Sequence, residues 1–72
     1  MRLLSSRDVE KTLRRNGFEF LRQRGSHRQF VGIIESRKRY VTVPANKKEI
    51  PKGTLASIIR QSGLPRKEFF DK

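Results

Sequence analysis

The chain contains no cysteine and no tryptophan, and histidine and tyrosine occur once each among its 72 residues. The missing cysteines exclude a disulfide scaffold, a thiolate zinc site and a cysteine nucleophile. One histidine and seven scattered carboxylates do not make a zinc site, so no metal or other cofactor is expected. No glycine-rich loop of the phosphate-cradling kind is present, because Gly25, Gly32, Gly53 and Gly63 each fall where a turn, bulge, close approach or cap needs one. Nothing in the sequence supplies a His–carboxylate pair for a catalytic serine. Long apolar runs are absent too: Val31, Ile33 and Ile34, interrupted by Gly32, fall far short of a membrane span. Met1-Arg2-Leu3-Leu4 is followed at once by Ser5-Ser6-Arg7-Asp8, which leaves no apolar signal region. The expectation is a cytoplasmic protein with no membrane partner, forming one domain over residues 1–72.

Acidic residues are also scarce. Eighteen Lys and Arg stand against seven Asp and Glu, a formal net charge of +11. Residues 1–36 carry 8 basic and 4 acidic residues (+4), and residues 37–72 carry 10 and 3 (+7). A basic tail would gather the excess at one end; the spread describes a charged folded surface. Such an excess costs self-repulsion in a small fold, and its commonest reason is a polyanionic partner, here nucleic acid. A heavily solvated basic surface with no such partner is the plainer alternative.

Local patterns predict an α-β-β-β-α order. Ser5 as N-cap places Asp8 at the third helical position of a capping box, with Leu4 and Val9 spaced as a hydrophobic staple. A helix over 6–16 follows, ended by Asn16-Gly17 with Phe18 folding back. Strands are expected over 18–23, 27–34 and 39–43, the first two joined by a tight turn at Arg24-Gly25-Ser26 and the last two by a turn at Glu35-Ser36-Arg37-Lys38. Gly32 marks either a bulge or a close approach. Pro44 ends the third strand, a Lys-rich loop spans 45–52, and a helix over 52–62 ends at Gly63, with Leu64 placed for a Schellman contact. Glu68-Phe69-Phe70 suits one further helical turn. The fold class is α+β: a three-stranded antiparallel sheet with both helices on one face and the other face open. Val9, Leu13, Phe18, Phe20, Phe30, Val41, Val43, Leu55, Ile58 and Ile59 are expected to supply most of the core.

His27 stands apart, a lone imidazole at a hairpin mouth with Arg22, Arg24 and Arg28 around it in sequence. A neutral imidazole, the form that accepts a proton, set among guanidinium groups suits removal of the proton from a ribose 2′-OH while arginines hold the attacked phosphate. An ordinary surface histidine at a strand end is the plainer reading. Ser26 is first a turn-former whose hydroxyl could orient His27. Lys47 and Lys48, on their loop, suit non-specific phosphate contact, as does the run Arg37-Lys38-Arg39. Tyr40, on the third strand, could face either way.

Four short motifs in order then resemble the HicA (YcfA-like) toxin family: Arg24-Gly25-Ser26-His27; Tyr40-Val41-Thr42-Val43-Pro44; Lys52-Gly53-Thr54-Leu55 with Ile58-Ile59; and Gly63-Leu64 before Glu68-Phe69. The likeness runs from Ser5 to Phe70. It implies a fold similar to double-stranded-RNA-binding domains and an mRNA-cleaving, translation-blocking toxin neutralised by an acidic HicB-type antitoxin, with the family's catalytic histidine falling on His27. In many family members a second histidine stands where this chain has Asn46. That difference keeps a second function in view, a non-catalytic RNA-binding module of the same fold.

Overall fold

The computed structural model describes residues 3–70; the ends of the expected 1–72 domain lie outside the described residues. Helix α1 covers Ser6–Arg15, strands β1, β2 and β3 cover Glu19–Arg24, His27–Ile34 and Arg37–Pro44, and helices α2 and α3 cover Lys52–Ser62 and Lys67–Phe70. The sheet is antiparallel in the order β1-β2-β3. The expected α+β class is the observed one.

Each end of α1 forms as its sequence dictates. The Ser5 hydroxyl accepts from the Asp8 N–H at 3.0 Å, and the Asp8 carboxylate accepts from the Ser5 N–H at 3.1 Å, the two halves of a capping box. At the far end Gly17 takes φ +89°, and the N–H groups of Gly17 and Phe18 donate to the carbonyls of Arg14 and Leu13, a full Schellman pattern that seats Phe18 in the core. The cap of α2 differs from expectation. Gly63 is left-handed, but the Leu64 N–H donates to the Ser62 hydroxyl at 3.0 Å, which itself donates to the Ile59 carbonyl at 2.7 Å. A buried serine relays the bond that the backbone alone makes in a Schellman cap.

Both hairpins turn on two residues. Arg24 pairs with His27 across Gly25-Ser26, and Ile34 pairs with Arg37 across Glu35-Ser36. The second turn is therefore shorter than the sequence suggests and β3 starts two residues earlier. Glu35 and Ser36 both hold positive φ, +52° and +68°, as a type I′ turn requires.

The irregularity falls in β1 rather than at Gly32: register shifts between Phe20 and Arg22, leaving Leu21 as the extra residue. A straight strand would put Phe18, Phe20, Arg22 and Arg24 on one face. The bulge reverses the alternation midway, so Phe20 lies with Phe30 on the helix face while Arg22 and Arg24 face the other way. Gly32 is the close approach. A Cβ there would lie 2.7 Å from the Phe18 ring.

One cluster of Leu4, Val9, Leu13, Phe18, Phe30, Val41, Val43, Ile50, Leu55, Ile58 and Phe69 forms the core, so both long helices share one sheet face. Ile59 is half-buried at its margin. Phe20 is not core, at 41% exposed. The helices pack chiefly over β3, and β1 overhangs them. The Phe20 ring instead meets Phe30 edge-on at 5.8 Å and carries the Arg28 guanidinium 4.4 Å from its centre. Leu4, Ile50 and Phe69 join the core beyond the expected set, with the Ile50 N–H donating to the Leu4 carbonyl at 2.8 Å and α3 lying against α1. On the outer edge of β3 the Thr42 N–H donates to Gln61 Oε1 of α2 at 3.0 Å.

Candidate functional site

The β1–β2 turn, the start of α1 and the loop after β3 meet at one end of the sheet. Gly25 supplies the left-handed residue of the turn (φ +58°), and the Gln23 side-chain amide donates to its carbonyl at 2.8 Å. The Ser26 carbonyl accepts from the Ala45 N–H at 2.7 Å, tying the turn to the loop. Ser6 ties that loop to α1. Its buried hydroxyl donates to the Pro44 carbonyl and accepts from the Lys47 N–H at 2.9 Å, while its own N–H donates to the Lys47 carbonyl at 2.9 Å. Asn46 completes the loop at φ +57°, a conformation that Asn adopts more readily than most residues. What reads in sequence as a free Lys-rich loop is held at both sides.

Two groups of side chains result. His27 is exposed on the open sheet face, between its register partners Arg24 on β1 and Pro44 on β3. Arg22 shares that face, its Nε donating to Gln29 Oε1 at 3.0 Å, so a guanidinium is held beside the histidine's row. These are the residues among the expected set that the fold brings together.

The second group lies on the helix side of the same end. A cleft of about 530 Å³ is lined by residues including Arg7, Glu10, Gln23, Arg28, Asn46, Lys47 and Lys48. Arg28, although next to His27 in sequence, points here. Its Nε donates to Glu10 at 2.8 Å and its Nη1 to Gln23 Oε1 at 2.9 Å, over the Phe20 ring. It is tied up by the fold. Ser26 sits at the turn tip between the two groups, and Lys47 and Lys48 line the cleft. Among the described residues no three His, Cys or carboxylate side chains converge as metal ligands would, and no helix is long and apolar enough to cross a membrane.

Arg7, Gln23 and Gln29 were not singled out in sequence. Counting back from a two-residue turn at Gly25-Ser26 pairs Gln29 with Arg22 and Gln23 with Arg28, so register was the signal that would have found the two glutamines. Arg7 gave none, because only the folding of α1 against the loop brings it to the cleft.

A family model described as the HicA toxin of bacterial toxin–antitoxin systems matches residues 6–64. Comparison with curated proteins finds no match. The matched span takes in α1, the sheet and α2, and with them both groups of side chains.

Proposed function

The chain belongs to the HicA toxin family of bacterial toxin–antitoxin systems, and from that premise we propose that it is a metal-independent endoribonuclease that cleaves mRNA in the cytoplasm and is neutralised by a HicB-type antitoxin. The observation that carries the reading is His27, exposed on the open face with Arg24 directly across the strand pair and Arg22 steadied by Gln29. RNA brings its own nucleophile, so cleavage by a small protein without cysteine needs only a proton acceptor and fixed positive charge. His27 takes the proton from a ribose 2′-OH; O2′ attacks the adjacent phosphorus; the P–O5′ bond breaks. The departing oxygen takes a proton from the imidazolium or from water, leaving a 2′,3′-cyclic phosphate and a 5′-hydroxyl. Arg22 and Arg24 balance the charge that develops on the phosphate. Arg28 is already paired with Glu10, so it is Lys47 and Lys48 that act at longer range, through the potential of the cleft side, and draw the strand to this end of the sheet. The antitoxin presents acidic groups to the same basic end, since a neutral surface would bury these cations unpaired.

The test is cleavage of a long mRNA in EDTA, with His27→Ala beside it. The variant loses on the order of 10²–10⁴ in rate yet binds RNA nearly as well, because one imidazole ring adds little among so many cations. A 2′-methoxy sugar at the cut site blocks the reaction. Full activity in His27→Ala, or equal cutting of the 2′-methoxy substrate, sinks the mechanism and leaves an RNA-binding module without catalysis.

A further inference from the structure

Tyr40 is 56% exposed in the middle of β3. Its strand neighbours Arg39 and Val41 face the helices, so its ring stands on the open face, on the same side as His27. The other aromatic rings are engaged: Phe20 carries Arg28, Phe30 lies under Arg14 and against Phe20, Phe70 is covered by Arg66, and Phe18 and Phe69 are buried. Among the described residues no cation or second ring lies on Tyr40.

Register places this ring relative to the candidate catalytic residue. Tyr40 pairs with Val31, four residues along β2 from His27, a separation of about 13 Å along the strand. That is a distance a few nucleotides of extended single strand cover. Between them on the same face lie Gln29 and Thr42, which are register partners, and next to the ring lie Val31 and the 67%-exposed Ile33. Arg22, Arg24 and Lys38 share the face, with Glu19 the only acidic side chain on it among the described residues. A planar ring with apolar neighbours, in a row with cations, matches the alternation of base and phosphate in single-stranded RNA.

We propose that Tyr40 is a base-stacking platform of the RNA site: a single strand crosses the open sheet face with its scissile phosphate at His27 and an unpaired base, a few nucleotides away, stacked on the Tyr40 ring. The inference rests on the RNA reading above and adds a substrate class to it. The enzyme takes single-stranded segments, because a base inside a duplex has both faces already stacked.

The composition makes a direct test possible. Tyr40 is the only tyrosine and tryptophan is absent, so tyrosine emission reports this one ring. The probe is a 2′-methoxy oligonucleotide, which the proposed chemistry cannot cut, with binding followed independently by the anisotropy of a labelled copy. Emission falls as the single strand saturates the protein, and the same sequence annealed to its complement does not produce the fall. Tyr40→Phe keeps the affinity of the single strand. Tyr40→Ala weakens it about 5- to 150-fold, with far-UV circular dichroism showing that the fold is retained. Binding with unchanged emission, together with unweakened Tyr40→Ala, overturns the platform and leaves the RNA reading standing. No binding by anisotropy removes both. Emission that responds to an acidic protein and not to the oligonucleotide assigns the face to a protein partner instead.

Discussion

At the scale of single residues, neighbours in sequence have opposite fates. His27 faces the open sheet surface and Arg28 the helix side, where Glu10, Gln23 and two phenylalanine rings hold it. Adjacency in sequence, which suggested one basic group around His27, says little in a strand, because successive side chains leave by opposite faces. The glycines divide in the same way. At Gly32 an added methyl meets the Phe18 ring at 2.7 Å, while at Gly53, in the first turn of α2, nothing lies within 4 Å and φ is ordinary. Gly32→Ala is therefore expected to cost about 1–3 kcal/mol by overpacking. Gly53→Ala is expected to add about 0.4–1 kcal/mol, mainly by restricting the unfolded chain. Urea midpoints of the two variants check both signs, and a neutral Gly32→Ala would contradict the close packing of Phe18.

At the scale of elements, what could be read from the sequence was whatever depends on local chemistry. Ser5 with Asp8, Asn16-Gly17 and Gly63 placed the helix ends, and the alternation from Phe18 together with the β-branched and aromatic runs after it placed the strands, to within a residue or two. The bulge at Leu21 was not legible. Phe18 and Phe20 alternate in phase with Arg22 and Arg24, and nothing local says where the phase reverses; seating Phe18 in the core and Phe20 beside Phe30, with both arginines on the open face, requires it. Ile50 was missed for a related reason. Surrounded by Lys47, Lys48, Glu49 and Lys52, it looks like part of a loop until its N–H pairs with the Leu4 carbonyl. Of the candidate site, the histidine and its two arginines were readable, whereas the separation of Arg28 from them required the strand register, and that of Lys47 and Lys48 the tie of their loop to Ser6. The β2–β3 turn offers a test at this scale. Two residues other than glycine hold left-handed backbone there, so replacing Glu35-Ser36 by Asn-Gly is expected to raise stability by about 1 kcal/mol. A thermal melt measures it, and a lowered midpoint would contradict the type I′ assignment.

At the scale of the whole molecule, charge acts on stability and on binding in opposite directions as salt changes. A formal charge of +11 on 72 residues repels itself in the folded state, and added salt screens that repulsion. Bound RNA, in contrast, releases condensed counterions, and salt opposes that release. Raising sodium chloride from about 50 to 200 mM is expected to increase the urea midpoint while lowering RNA affinity by orders of magnitude, along a log–log line whose slope counts the phosphates contacted. Association with an acidic antitoxin slows over the same range. Chloride titrations of unfolding and of RNA anisotropy, run on one preparation, check the pair. Affinity indifferent to salt would remove the phosphates from the interface.

The Gln61 side chain that accepts the Thr42 N–H has a consequence for crowding. A three-stranded sheet has two margins at which a neighbour's strand can be templated, and natural proteins blunt such margins with side-chain caps, kinks and charge. Here α2 reaches over one margin with Gln61 and takes an amide that an added strand would need. The opposite margin is kinked at Leu21 and carries Glu19, Arg22 and Arg24. Repulsion between copies is a third protection, but it disappears once many of them gather on one long polyanion. In that setting the kink and the glutamine remain, and copies packed side by side lack a flat margin on which to polymerise.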